Sequence, residues 1–376
     1  MKRRKLKLKK KVKKILQSIL GIILIFLVVY LGIYLIGGKE NVNKIVDVII
    51  PTTTTKVLYD ITFDKDKIYL LEGEEYSIKI DDERVEYKSS DESIVRVMDG
   101  IIKYVSNGSA VVTRSVGGKE DTLDVVATNL ITKPTINDDK KYITCKQYST
   151  EEAKLLDELL AYRISEAGYQ TRAGAVEAAR FLVLEVKFKI KYFFENGRLL
   201  TNDTRPYVDG EGRYYHKGLY LSTDKYVSLK ASMYGPQMWG CEMYSRITNR
   251  KSPNGMDCSG YVSWALYNAG FDVGDAGAGI NLNKTNDLDD LGEKLSINKK
   301  NLALNKVKVG DLVSAYGHIG ILIGMDDKHY YIAESLSPDI HVNKYTEDEL
   351  IKSDWLSFVL MDDVYKTDGN ISNMWE

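Results

Sequence analysis

The stretch Asn254-Gly-Met-Asp-Cys258-Ser-Gly-Tyr-Val-Ser-Trp-Ala-Leu-Tyr-Asn-Ala-Gly270 decides how this chain is read. After Cys258 the apolar residues Val262, Ala265, Leu266 and Ala269 recur at helical spacing, and Gly270 supplies a stop. Cys258 therefore falls in the first turn of an amphipathic helix. There the unpaired N–H groups and the positive end of the helix dipole favour a thiolate. An unperturbed thiol, with a pKa of about 8.5, is only about 3% ionised at pH 7. A nucleophilic cysteine needs such a setting, and a histidine elsewhere in the chain to exchange its proton.

Four histidines are present: His216, His318, His329 and His341. His318 follows Val309-Gly-Asp-Leu-Val313 and a Tyr316-Gly317 turn, and it opens the apolar run Ile319-Gly-Ile-Leu-Ile323. It is a polar residue at the head of a buried strand. A turn at Met325-Asp-Asp-Lys328 leads into Tyr330-Tyr-Ile-Ala-Glu334, so residues 318–334 read as a β-hairpin. With a three-residue loop at 325–327, Glu334 lies directly opposite His318 on the same face, placed to orient the imidazole. A two-residue loop puts Ser335 there instead. The bland alternatives are a satisfied strand-end histidine and a solvated carboxylate.

Asp257-Cys258-Ser259-Gly260, then Gly310-Asp311-Leu312, then His318-Ile-Gly-Ile321, resembles the NlpC/P60 family of bacterial cell-wall cysteine peptidases over roughly residues 250–335. The resemblance implies an α+β papain-like catalytic domain with Cys258 as nucleophile and His318 as general base and acid. Asp257 and Ser259 then support the nucleophile. The family's third position, commonly a histidine, aligns near Ala333, and Glu334 is the nearest substitute; glutamate in that role resembles the related CHAP amidases. A family tyrosine upstream of the cysteine has its match in Tyr192 of Tyr192-Phe-Phe-Glu-Asn-Gly197. The reaction implied is cleavage of peptidoglycan stem peptides through a Cys258–His318–Glu334 triad, without a cofactor. An N-acetylmuramoyl-L-alanine amidase of CHAP-like type and a non-catalytic wall-binding surface protein are the alternatives. No metal is expected from the residues themselves. HExxH and CxxC are absent, and Gly274, Gly277 and Gly279 have the wrong spacing for a phosphate loop.

Outside this region, charge is the main signal. The 376 residues have a formal net charge of −1, yet residues 2–14 hold ten Lys or Arg and no acid. The remainder is strongly acidic, which argues against a nucleic-acid partner. Residues 15–36 read ILQSILGIILIFLVVYLGIYLI without a charge, and as a helix they span about 33 Å, enough to cross a bilayer. The flanking cations predict a single-pass signal anchor, with a cytoplasmic N-terminus and the rest on the cell-wall side of the membrane. The expected division is a basic tail (1–14), the anchor (15–36), a linker with Pro51-Thr-Thr-Thr-Thr55 (37–56), a β module (57–130), a second linker (131–148), the catalytic domain (149–366) and a tail (367–376).

Period-2 alternation in Tyr76-x-Ile78-x-Ile80, Val95-x-Val97 and Leu123-x-Val125-x-Ala127, broken at Asp99-Gly100, Asn107-Gly108 and Gly117-Gly118, predicts a small all-β sandwich for 57–130. Tyr87 to Val97, Gly100, and Gly108-Ser-Ala-Val-Val-Thr113 resemble the bacterial Ig-like domain of group 2, which implies a surface spacer or adhesive module. Beyond it, Ser149-Thr-Glu-Glu152 matches a capping box ahead of a helix, and a second helix is expected from Thr171 to Val186. Three cysteines, Cys145, Cys241 and Cys258, are too few and scattered for a disulfide framework or a zinc site. A Cys241–Cys258 disulfide is conceivable but would disable the nucleophile. Trp239 reads as a core residue. Nothing in the sequence bears on oligomeric state.

Overall fold

Alternate residues of Leu123-x-Val125-x-Ala127 are buried, as are Ala110 and Val112 on the neighbouring strand, and that shared apolar face organises the first part of the fold. The computed structural model describes residues 60–194, 217–223, 238–245, 250–274, 276–279 and 287–375. Residues 61–376 form one compact unit. Its first seven strands are β1 (Lys67–Leu71), β2 (Glu75–Ser77), β3 (Glu86–Ser89), β4 (Val95–Met98), β5 (Ile101–Tyr104), β6 (Gly108–Val116) and β7 (Lys119–Thr128). They make one sheet in the order β1-β7-β6-β3 and a second in the order β2-β5-β4. β1 runs parallel to β7, while the other pairs are antiparallel. Ile68, Leu70, Ile102, Val112, Leu123 and Val125 share the core between them.

The chain then forms β8 (Lys141–Tyr142), which pairs in parallel with β9 (Phe188–Lys189). Between them lie α1 (Thr150–Ala167) and α2 (Arg172–Arg180). Ser149 and Glu152 cap the start of α1 reciprocally, as their spacing predicts. Thr171 caps α2, which continues as a π-helical turn over Phe181–Glu185. A hairpin of β10 (Glu242–Ser245) and β11 (Arg250–Pro253) precedes α3 (Cys258–Asn268). The remaining strands are β12 (Glu293–Ser296), β13 (Leu312–Ala315), β14 (His318–Met325), β15 (His329–Leu336), β16 (Asp339–Thr346) and β17 (Ser357–Leu360). They build a six-stranded antiparallel sheet in the order β12-β17-β13-β14-β15-β16.

The two faces of this sheet bury different partners. Ile319, Ile321 and Ala333 pack with Val262, Ala265 and Leu266 of α3, whereas Val313, Leu322, Ile332 and Phe358 pack with Trp355 on the other side. Each fully buried aliphatic side chain contributes roughly 2 kcal/mol, so the sheet holds α3 firmly. The Gly310-Asp311-Leu312 segment has a structural task. Gly310 has φ +99°, and a Cβ there would meet the Arg172 side chain at 2.8 Å. Asp311 takes a 2.6 Å bond from the fully buried Arg172, which also pairs with Asp362 and Asp368. Burying that guanidinium without its carboxylates would cost several kcal/mol, so α2 and the head of β13 are locked together.

The expected fold class is corrected here. In place of an α+β papain-like catalytic domain, a separate all-β Ig-like sandwich and a transmembrane helix, the described residues form five sheets and six α-helices. Nothing in them is diagnostic of either family's fold. No described helix is long and apolar enough to cross a membrane, and residues 15–36 lie outside the described residues, as do the tail 1–14 and the linker 37–56. The β module keeps a core of its own and joins that of the later elements only at one edge. Leu71 of β1 and Ile131 are buried in the same core as α1, α2 and α3, and the expected linker 131–148 supplies β8 and a disulfide, Cys145–Cys241.

Candidate active site

Cys258 is the first residue of α3. Its N-cap neighbour Asp257 accepts the N–H of Gly260 at 2.9 Å and the hydroxyl of Ser259 at 3.2 Å, which sets the helix start. The cysteine is 8% exposed and is the one free thiol, because Cys145 and Cys241 are joined to each other. Cys241 is thus joined to Cys145 and not to Cys258, the pairing weighed from the sequence. Burial, with the Asp257 charge second, pushes the Cys258 thiol up to about 12. The N–H groups of Ile319, Ser259 and Cys258 itself pull in the other direction and lose. The resting site therefore holds a thiol. The helix terminus alone favours a thiolate, but desolvation of the charge outweighs it.

His318 opens β14, and its Nε2 lies 2.5 Å from Oε2 of Glu334 on β15. The hairpin register differs from the one expected. Gly320, not His318, pairs with Glu334, and the ladder shifts at a bulge between Leu322 and Gly324. The displacement is two residues, so Glu334 stays on the His318 face and reaches it diagonally. Ser335, the other candidate, faces away and donates its hydroxyl to the Met256 carbonyl at 2.8 Å, tying β15 to the segment that delivers Cys258. Burial alone would raise the Glu334 carboxyl. Hydrogen bonds from His318 and Asn343 oppose it most, and the group is held below the ordinary carboxylate range. Trp355 stacks on the imidazole, ring centroids 5.1 Å apart and planes 24° apart.

Tyr192 reaches the site through its backbone. It bridges Met256, and its N–H donates to the Pro338 carbonyl at 3.0 Å. Burial raises its phenol above the usual range, with the Cys258 and Asp257 charges adding to the shift, so the hydroxyl shares the electrostatic environment of the nucleophile. Close threading permits this. A Cβ on Gly255 would stand 1.8 Å from the Lys191 carbonyl oxygen.

The structure thus brings together two groups. Cys258, Asp257, Ser259 and Tyr192 cluster at the head of α3; His318 and Glu334 form a second pair. The two meet where β14 begins, through the Ile319 N–H directed at the Cys258 sulfur. Among the described residues no hydrogen bond joins Cys258 to His318. With Nε2 committed to Glu334, Nδ1 is the ring nitrogen left for the thiol, and such contacts often tighten only when substrate binds. Sequence reasoning missed Trp355, Asn343 and the disulfide. The alternation His341-x-Asn343 was a visible signal for the second of these. Asp287, Asp289 and Asp290 are the one group of three carboxylates among the described residues close enough to share an ion, and Lys294 already sits on two of them, at 2.7 and 3.3 Å. No protein-family model matches the chain, and no curated protein matches it.

Proposed function

We propose that the protein is a peptidoglycan hydrolase, a cysteine endopeptidase that cuts stem peptides. The observation that carries this reading is a buried free thiol at a helix N-terminus, held by the N–H of the residue that follows a carboxylate-bonded histidine. The resemblance of Asp257-Cys258-Ser259-Gly260 and His318-Ile-Gly-Ile321 to the NlpC/P60 peptidases supplies the substrate class. Free thiolate at pH 7 would cost on the order of 7 kcal/mol for a pKa of about 12. Proton transfer must therefore accompany attack. The Cys258 proton passes to His318 Nδ1 as sulfur bonds to the peptide carbonyl carbon, and N–H groups at the head of α3 receive the oxyanion. His318 then protonates the leaving amine. Water, giving its proton to His318, hydrolyses the thioester and restores the thiol.

The disulfide supports action outside the reducing cytoplasm, on the cell-envelope side. Two other readings each have an observation in their favour. Glutamate as the third residue favours a CHAP-like amidase, and the protonated resting thiol favours a wall-binding protein without turnover. The test incubates the full chain and its Cys258→Ala variant with purified peptidoglycan, followed by mass spectrometry of soluble fragments. Fragments ending at a stem-peptide bond, released only by the wild type, are expected. Fragments cut at the muramoyl amide would shift the assignment to the amidase. No fragments from either protein would leave the binding reading.

A further inference from the structure

His318 occupies only one oxygen of Glu334. The other, Oε1, accepts an N–H from Asn343 Nδ2 at 2.7 Å. The same amide nitrogen lies 3.2 Å from His341 Nε2, while His341 Nδ1 lies 3.1 Å from the Asp339 carbonyl oxygen. A carbonyl only accepts, so Nδ1, which also lies 3.3 Å from Asp339 Oδ1, carries a proton, and in the tautomer with its single proton there Nε2 is an acceptor. Both hydrogens of the Asn343 amide thus point at acceptors. The flipped amide would set its oxygen against the carboxylate, so one orientation is enforced. Asp339 is anchored in turn by the Tyr142 hydroxyl at 2.7 Å and by Lys189 at 3.8 Å.

The strand pairing explains why this residue does the holding. Glu334 has Gly320 directly opposite on β14 and His341 directly opposite on β16. His318 and Asn343 both come in diagonally from the two sides, one to each oxygen. Glu334 is 2% exposed, so an oxygen deprived of Asn343 has no ready water to replace it.

We propose that Asn343 is a positioning residue of this site, oriented by His341, which fixes the Glu334 carboxylate so that its second oxygen holds the His318 ring. The inference rests on the reading of His318 and Glu334 as a catalytic pair. It is separable from hydrolysis, because the His318–Glu334 bond can be watched directly.

The test uses the full chain labelled with ¹⁵N-histidine, which gives signals from only four residues. The wild type should show a downfield, slowly exchanging ring N–H for His318, absent in Glu334→Ala. Asn343→Ala should broaden or abolish that resonance and slow release of wall fragments about 10- to 100-fold, the usual effect of removing a group that orients a functional side chain. In a Glu334→Ala background the same substitution should change the rate less than twofold, because its effect runs through Glu334. An unchanged resonance in Asn343→Ala, or an equal loss of rate in both backgrounds, would overturn the proposal. If Asn343→Ala fails to fold, His341→Ala removes the acceptor that orients the amide; a broadened resonance supports the proposal and an unchanged one overturns it. If the wild type releases no fragments, the hydrolase reading fails and the resonance still decides the role of Asn343.

Discussion

Glu334 reaches His318 across a glycine: its ladder partner on β14 is Gly320, and the 2.5 Å bond to the imidazole runs diagonally past that residue. A Cβ on Gly320 would lie 3.0 Å from Ile332 Cγ2 and the Ala333 carbonyl oxygen, and 3.2 Å from Trp355 Cη2, the indole that stacks on His318. Gly320→Ala should therefore displace the stacking ring as well as crowd the strand. The expected outcome is a loss of about 1–2 kcal/mol in denaturant unfolding, with at least a tenfold fall in the rate of fragment release. A variant that loses stability but keeps the full rate would show that the stack does not help hold His318.

Glu334→Gln keeps the size of the side chain and reverses part of its chemistry. A carboxylate accepts a ring N–H; an amide can offer its own N–H instead and stabilise the wrong imidazole tautomer. Turnover should drop roughly 10²- to 10⁴-fold, the range known for neutralising the orienting acid of a triad. The stability signature is separate. Because the native carboxyl is held below its ordinary value, it adds stability above the unfolded pKa and loses it as pH falls through the folded one. Below about pH 4.5 the wild type should lose more stability than the variant with each step toward acid, and parallel curves would count against the ion-pair assignment.

Cys258 is the single free thiol, so it can be titrated without mutating another cysteine. With its pKa pushed up to about 12, alkylation by iodoacetamide should be slow at pH 7 and rise about tenfold per pH unit from pH 8 to pH 11. A plateau already reached near neutrality would mean a preformed thiolate–imidazolium pair and would discard the protonated resting site.

Which of these features could be seen in the sequence depends on whether they are local. The 3.6-residue period of Val262, Ala265, Leu266 and Ala269 places Cys258 at the head of α3, and capping at Ser149 and Thr171 likewise needs only neighbouring residues. Glu334 was legible as a face and not as a register. Alternation survives a two-residue shift, whereas the turn that pairs Met325 with Tyr330, three residues off the expected register, and the bulge near Ile323 that brings this back to two leave no compositional mark. Burial of the thiol was invisible, because Ile319 and Tyr192 approach it from far along the chain. So was the Cys145–Cys241 pairing, 96 residues apart. Trp355 lies beyond the motif altogether and meets His318 only through β13 and β17.

That disulfide closes a loop of 96 residues. In the chain-entropy model a loop of that size is worth about 4–5 kcal/mol to the folded state. Its position adds a local consequence. The Cys241 carbonyl accepts the N–H of Asn254, four residues before the nucleophile, while the Cys145 side leads through Tyr142 to Asp339 and β16. Cys145→Ser with Cys241→Ser should lower stability by several kcal/mol and slow fragment release at temperatures where the variant is still folded. Dithiothreitol should reproduce both effects in the wild type by thiol–disulfide exchange. A reduced protein with unchanged melting and rate would remove the disulfide from any functional account.

Glu185 is a carboxyl distant from the chemistry. It ends the π-helical turn, is 1% exposed and faces Arg163 at 3.1 Å. Burial raises its pKa from 4.5 to about 7; Glu177 and Glu74 add to the rise and Arg163 opposes it. Between those two values the folded protein keeps a proton that the unfolded chain has released, so stability falls as pH rises through this window. The shift corresponds to a loss on the order of 3 kcal/mol. Glu185→Gln has no proton to lose. Unfolded by denaturant at pH 5 and again at pH 8, the variant should gain on the wild type by about that amount between the two. Equal differences at both pH values would mean that Arg163 already holds Glu185 ionised at pH 5 and that its attraction, not desolvation, sets the state of the group.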